Sequence, residues 1–321
     1  MIKKQTVFVV LLAVFVCAVL LFSEYFGTKA INLFAMDTYC EIEIKGKRKH
    51  LENLTEIIDF YDEKYDVYDE ESMIFDANKN GEINDKETVE LVKTLLSYNK
   101  KTDGAYDFSM KKQSDLWGFS KQKLNIPEEI NFESFGADKV IATENEVKLE
   151  GVELDFGGVM KGYVTDKMAE YLTKNKIKEA VLNLGGNVYA KGSHKIGIQD
   201  PEEKDVLCSV EVTDKAVVTA GVYQRFLTDE NGRKYHHILN PKTGYPANSG
   251  LISVSIIGKS ATECDVLATA FLVLGIDKSM EISENFEDIE IIFITDDCIY
   301  YTDGLEEKIE FLKETKHEVI K

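Results

Sequence analysis

From residue 37 to 44 apolar and polar positions alternate around Tyr39, Ile42 and Ile44, which predicts a strand. Over residues 51–68 the period lengthens to that of a helix, through Leu54, Ile57, Ile58 and Tyr61. A polar stretch, 69–84, reads as a loop, and Asp85 is placed to cap a helix over 86–98. Residues 102–107 hold an Asp-Gly turn, and 121–135 reads as a polar surface excursion. Residues 147–156 read as hairpin strands about Glu150-Gly151, 163–175 as an amphipathic helix and 180–184 as a buried strand. Strands recur at 195–198, 208–212, 216–218, 251–257, 289–294 and 298–301, with a helix over 262–274 stopped by Gly275. The tail from 305 to 321 is charged and reads as helical. Helices and strands intermix without a βαβ rhythm, so the class is α+β, or mixed α/β, rather than doubly wound.

The N-terminus departs from this pattern. Lys3 and Lys4 precede an uncharged apolar run, residues 6–22, closed by Glu24. Seventeen residues is near the lower limit for a bilayer span and long for a signal peptide. The lysines would stay in the cytoplasm and the remainder would lie outside, at the cell membrane. We read residues 1–30 as an uncleaved anchor. Cleavage, or lipidation at Cys17, are the other readings, although Phe15-Val16 lacks the small residue that lipid processing wants. Residues 31–305 then form the working domain and 306–321 the tail.

Composition narrows the function. The chain has 321 residues, 44% hydrophobic and 30% charged, enough for one large core. A formal net charge of −19 repels phosphodiester backbones, which disfavours nucleic acid. Cys40, Cys208, Cys264 and Cys298 are far apart and show no metal-ligand spacing.

Four segments carry candidate chemistry. Leu154-Asp-Phe-Gly-Gly-Val-Met-Lys-Gly-Tyr163 places an acid, paired glycines and Lys161 before a helix, an arrangement that suits phosphate but also fits a plain turn. Leu182-Asn-Leu-Gly-Gly-Asn187 is a second close-approach turn. Tyr235-His-His-Ile-Leu-Asn-Pro-Lys-Thr-Gly-Tyr-Pro246, preceded by Thr219-Ala-Gly221 and Arg225, sets histidines on a rigid loop. Asp265 and Thr269 are four apart on a helix, hence on one face, and two oxygen donors suit magnesium. Either could instead serve its own helix, the acid at the dipole and the threonine on its backbone. A fifth match is local: from Asp76 to Glu87 the chain fits the calcium-loop pattern, with Gly81 at the sharp turn. Residues 69–75 separate it from the preceding helix, there is no second such loop, and two asparagines lower its charge.

In order along the chain, these segments resemble the FAD:protein FMN transferases, formerly described as thiamine-biosynthesis lipoproteins. The resemblance includes Met36-Asp-Thr38, Tyr68 and Ser72, Gly104–Asp107, Trp117–Phe119, Asp155–Gly162, Asn183–Asn187, His237–Pro246 and Asp265–Ala270. It implies an ApbE-like, two-lobed single domain with largely antiparallel sheets flanked by helices. It further implies that Met36, Tyr68, Ala105, Tyr106, Asp107, Asp155 and Lys161 line the FAD site. Magnesium would take the Asp265 carboxylate, the Thr269 hydroxyl and the Gly158 carbonyl, and His237 would be catalytic. Three residues depart from the family pattern: Asp37 for glycine, Ala220 for serine and Asn240 for aspartate.

The implied reaction moves FMN from FAD to a threonine hydroxyl of an extracytoplasmic acceptor flavoprotein and releases AMP. A histidine of near-neutral pKa would deprotonate the threonine, or would itself become covalently modified. The rival readings are a magnesium-dependent FAD pyrophosphatase and a non-catalytic FAD-binding protein.

Overall fold

The alternation over residues 37–44 belongs to a hairpin of two equal strands, β1 (Thr28–Ala35) and β2 (Thr38–Lys45). This is a computed structural model, and it describes residues 27–321 except Lys204. The N-terminal anchor reading, with Cys17, therefore lies outside the described residues. Among the described residues no helix is long and apolar enough to cross a membrane. Cys40, Ile42 and Ile44 face the core, whereas Tyr39, out of phase with them, is exposed. The connecting residues Met36 and Asp37 have φ of +53° and +57°. That mirror-image turn matches the right-handed twist of the strands, and aspartate tolerates the left-handed region better than most residues do.

The other strands are β3 (Glu82–Ile83), β4 (Val140–Ala142), β5 (Val147–Leu149), β6 (Ala180–Leu184), β7 (Asn187–Gln199) and β8 (Val206–Gly221). After them come β9 (Phe226–Thr228), β10 (Lys234–His236), β11 (Ser253–Gly258), β12 (Glu290–Ile294), β13 (Ile299–Thr302), β14 (Ile309–Phe311) and β15 (His317–Ile320). Ten of these strands make one sheet in the order β1-β2-β6-β7-β8-β11-β12-β13-β15, with β14 also on β8. Among the described residues only β13 and β15 pair in parallel there. β3, β5 and β4 form a small sheet of their own, and β9 and β10 a two-stranded one.

Seven helices occur among the described residues: α1 (Lys49–Tyr65), α2 (Met73–Asn80), α3 (Lys86–Lys101), α4 (Lys111–Trp117), α5 (Met160–Lys174), α6 (Ala261–Leu274) and α7 (Ile276–Ser283). Leu54, Ile58, Val164, Met168, Val266 and Phe271 from α1, α5 and α6 are buried with Ile42, Leu182, Val254 and Ile256 of the sheet. A second cluster, with Ile196, Ile198, Val210, Ile292 and Tyr301, holds the far strands together. The result is the expected α+β architecture with a mostly antiparallel sheet.

Several expectations change. Residues 69–84 are not a loop. Ser72 caps α2 by accepting the Phe75 N–H at 3.1 Å, Ile74 and Ala77 face the core, and Gly81 ends the helix at φ +77°. Asp76, Asn78 and Asn80 thus lie along a helix and do not converge as calcium ligands. Asn78 is committed to the Leu154 backbone in both directions, at 2.9 and 2.7 Å. The calcium reading of Asp76 to Glu87 gives way to this geometry. Residues 147–156 contain only β5, which pairs with β3 and β4 and not within its own segment. The two strands expected at 208–212 and 216–218 are one long strand, β8. The tail is not helical: Ile309 and Phe311 alternate in β14 against β8, and β15 adds to β13. Open main-chain groups on β8 and β13 outweigh the helical propensity of the charged residues between.

Candidate active site

Helices α5 and α6 meet at a glycine. A Cβ on Gly162 would stand 2.4 Å from the Ala261 carbonyl oxygen and 2.8 Å from Asp265 Cβ, so only glycine permits the approach. Asp166, one turn further along α5, fastens the junction. Its carboxylate accepts the Ala261 and Thr262 N–H groups at 2.7 and 3.0 Å and the Ser260 and Thr262 hydroxyls at 2.7 and 2.6 Å. That carboxylate satisfies donors that the start of α6 would otherwise leave open.

The junction buries Asp265, which keeps 6% exposure. Its Oδ2 accepts the Gly162 N–H at 3.0 Å. Helix geometry would assign that N–H to the Gly158 carbonyl four residues back. Gly158 precedes α5, and its carbonyl is thereby left for another partner. Burial raises the Asp265 pKa, while Lys161, the Gly162 N–H and the Asn187 amide beside it oppose the rise. Asn187, 1% exposed, keeps its Oδ1 without a hydrogen-bond partner among the described residues. So does the hydroxyl of Tyr106, a buried residue whose pKa is raised by burial and by the charges of Asp265, Asp155 and Asp107. The Tyr106 ring packs 3.8 Å from where a Gly158 Cβ would stand.

His237 follows β10 and returns to Arg225. Its N–H and Nδ1 both meet the Arg225 carbonyl, at 3.2 and 3.0 Å. A carbonyl only accepts, so Nδ1 carries the proton and Nε2 keeps a free lone pair. Burial, with Arg225, Lys161 and His236 adding positive charge, lowers the His237 pKa to about 4. This is below the near-neutral value expected from sequence, and the physical reason is desolvation beside two cations. Neighbouring His236 is turned away, with Nε2 on the Ala247 carbonyl at 2.8 Å.

The rest of this loop is clamped. Gly244, at φ +72°, presents its carbonyl to Trp117 Nε1 at 2.9 Å and Gln113 Nε2 at 3.0 Å. Asn240 accepts the Lys242 N–H at 2.8 Å through Oδ1. Its turn-forming role needs only a side-chain oxygen, which asparagine supplies as well as the aspartate that the resemblance led one to expect. Ala220 lies inside β8 opposite Val254 and packs on the core.

Lys161 lies on the first turn of α5 and forms no ion pair among the described residues. Its charge acts on Asp265, His237 and Cys40, which places the β1–β2 hairpin beside the same site. There Met36 donates its N–H to Asp62 Oδ2 at 2.9 Å. Thr38 fills the space where a Gly185 Cβ would clash at 2.0 Å, so the Asn183–Asn187 turn abuts this hairpin. Asp155 accepts the Gly157 N–H at 2.8 Å. Burial raises its pKa against the charges of Lys111 and Arg225. Tyr68 is exposed at the rim, its hydroxyl 3.1 Å from Asp115 and Lys111 over its ring.

The ApbE family's sequence model matches residues 36–293. This chain belongs to the ApbE family. A protein of Klebsiella pneumoniae named FAD:protein FMN transferase is 28% identical over 254 residues, covering 75% of this chain and 80% of its own. One of the same name from Treponema pallidum is 27% identical over 304 residues, covering 81% and 82%. The crystal structure of the ApbE protein of Thermotoga maritima superposes with a TM-score of 0.77 at 28% identity, over 88% of this chain and 96% of that one.

Within the family frame, the residues read from sequence separate by environment. Asp265, Lys161, Tyr106 and Gly158 gather at the α5–α6 junction, and the charge of Lys161 also acts on His237. Thr269 is one turn beyond Asp265 on α6 and half-buried. Asp107 is engaged elsewhere: its carboxylate accepts from Ser109 at 2.8 and 2.6 Å and from the Ala137 N–H at 3.0 Å, shaping its own turn. Ala105 is buried beside it. The donor set at the junction fits magnesium. It offers a buried carboxylate, a hydroxyl and a released carbonyl, all hard oxygen donors, with orphaned Asn187 Oδ1 adjacent. No group of three or more His, Cys, Asp or Glu side chains that could hold a metal ion occurs among the described residues, so this donor set rests on one carboxylate with a hydroxyl and a carbonyl. Sequence reasoning missed Asp62, Asp166 and the positioning parts of Asn187 and Arg225. For Asp166 a signal existed, since it lies four residues after Gly162 and shares its helix face.

Proposed function

We propose that this protein is a magnesium-dependent FAD:protein FMN transferase that modifies a threonine of an extracytoplasmic acceptor protein. The observation that carries the reading is Lys161, unpaired among the described residues, whose charge acts both on buried Asp265 and on His237 with its free Nε2, in a chain of this family. The acceptor threonine oxygen attacks the phosphorus on the flavin side of the FAD pyrophosphate. A new P–O bond forms as the bridging P–O bond breaks, and AMP leaves with that electron pair. The threonine proton passes to His237 Nε2, whose lone pair is exposed because Nδ1–H is tied to Arg225. Lys161 binds a phosphate oxygen. Asp265, Thr269 and the Gly158 carbonyl would hold magnesium, which supplies positive charge against the pyrophosphate. Met36, Tyr68, Ala105, Tyr106, Asp107 and Asp155 would line the FAD site together with Lys161. The N-terminal segment tethers the enzyme at the outer face of the cell membrane, which restricts its acceptors to proteins there.

The test incubates the full-length protein with FAD, magnesium and candidate secreted acceptors, then uses mass spectrometry. The expected result is an FMN-sized addition on an acceptor threonine with equal release of AMP. Free FMN and AMP without any protein-bound flavin would establish a pyrophosphatase instead. FAD binding without turnover, unchanged in His237→Gly, would establish a carrier.

A further inference from the structure

Arg225 lies between β8 and β9, in the segment that precedes the histidine loop, and the reaction as written uses only its main-chain carbonyl. Its side chain is exposed. Among the described residues its guanidinium makes a single hydrogen bond, to the Phe119 carbonyl at 3.2 Å, and no ion pair. Guanidinium has five N–H donors in a planar fork, so most of its capacity is unspent. Its charge acts on Asp155 and on His237. Lys161, from a different element, acts on His237 and on Asp265. Arg225 is joined to His237 through its own carbonyl, Lys161 comes from a separate helix, and neither cation is committed to an ion pair among the described residues.

Charge makes this arrangement consequential. The chain carries a formal net charge of −19, and a pyrophosphate entering it is repelled by the whole surface. Local cations must offset that repulsion where the phosphorus is attacked. Lys161 is one point charge on the Asp265 side. A planar fork beside His237 matches phosphate oxygens two at a time, which an ammonium does not. We propose that Arg225 is a phosphate-binding residue, its guanidinium taking the FAD pyrophosphate beside His237 Nε2 while Lys161 takes it from the Asp265 side. This rests on the FMN-transferase reading for the identity of the ligand. The competing role is structural: one N–H of Arg225 anchors the Trp117–Phe119 segment through the Phe119 carbonyl. A neutral donor can meet that need, whereas phosphate binding needs the charge and the fork.

The test compares full-length wild-type protein with Arg225→Gln and Arg225→Lys, in detergent with magnesium. Flavin fluorescence gives the Kd for FAD and for riboflavin, which has no phosphate, and thermal melting reports folding. Arg225→Gln is expected to weaken FAD by about tenfold to a hundredfold while riboflavin stays within about twofold. Arg225→Lys falls between, and the salt dependence of FAD binding becomes shallower in Arg225→Gln. Unchanged FAD affinity, equal losses for FAD and riboflavin, or failure of both variants to fold would each overturn the proposal. Failure of the transfer reading is seen separately: wild-type protein that binds FAD yet transfers no FMN sinks that reading, while the FAD-to-riboflavin contrast still decides the role of Arg225.

Discussion

Helix α5 touches two polar clusters, and they are built on opposite terms. On one face Tyr163 and Lys167 meet Glu87 of α3. Glu87 accepts from Tyr61 at 2.5 Å, Tyr163 at 3.0 Å, Lys167 at 3.1 Å and Lys64 at 3.1 Å, and Lys64 also reaches Asp85 at 2.7 Å. These donors hold the Glu87 pKa down at about 2 although burial works the other way. At the N-terminal end of the same helix, Asp265 has a raised pKa, Lys161 has no ion pair among the described residues, and Tyr106 and Asn187 each keep an unpartnered buried oxygen. Groups of similar chemistry are saturated in one place and under-satisfied in the other. Saturation stabilises a fold, whereas leaving buried polar groups unpaired costs about 1–3 kcal/mol each. At the second cluster a charged ligand can offset that cost, which is why it reads as a site and the first as a brace.

Breaking the two clusters should therefore give opposite results. His237→Ala should lower FMN transfer by about a hundredfold to ten-thousandfold, with the melting temperature little changed, as assayed by acceptor-bound flavin fluorescence. In the wild type the acid limb of kcat/KM should fall near pH 4, because the lowered pKa keeps His237 unprotonated down to that pH. An acid limb near 6.5 would show that the surroundings of this imidazole do not depress its pKa in the free enzyme. Asp265→Asn should abolish the proposed magnesium dependence and cost about a hundredfold in rate. The same change should leave thermal stability equal or higher, since it removes a desolvated charge.

The brace should behave in reverse. Glu87→Gln leaves Lys64 and Lys167 without their shared anion and should cost about 1–3 kcal/mol in denaturant unfolding, while folded enzyme keeps its turnover. The folded pKa of Glu87 is depressed, so its contribution is present above the ordinary value of 4.5 and is lost as pH falls through about 2. A stability curve flat between pH 5 and 2 would contradict this. The smallest effect belongs to Trp117→Phe, which removes one of two hydrogen bonds to Gly244 and should cost about 1 kcal/mol, read by chemical denaturation.

The two clusters were not equally legible. Asp265 and Thr269 could be placed on one helix face because their relation is local. Glu87 was read as the last position of a calcium loop, since the pattern from Asp76 to Glu87 is also local and it matched. What defeated it was the Ser72 cap and the core-facing pair Ile74 and Ala77, which start a helix just before the pattern and carry it through to Asn80. The short strands β14 and β15 were hidden for a related reason. Their charged neighbours resemble a solvent-exposed helix, and only the open edges of β8 and β13 make strands of them.

By itself the sequence determined the α+β class, the long helices and the ordered motifs, because periodicity and turn chemistry act over a few residues. It also determined the family, because many modest motifs in one order are jointly specific. Only the tertiary structure decided which polar groups are spent and which are left open. Gly162 and Asp265 are 103 residues apart, and Asp166 and Thr262 are 96. Whether a carboxylate is saturated depends on donors brought from that far along the chain. So does the tautomer of His237, fixed by the Arg225 carbonyl 12 residues earlier through the packing of one loop on another.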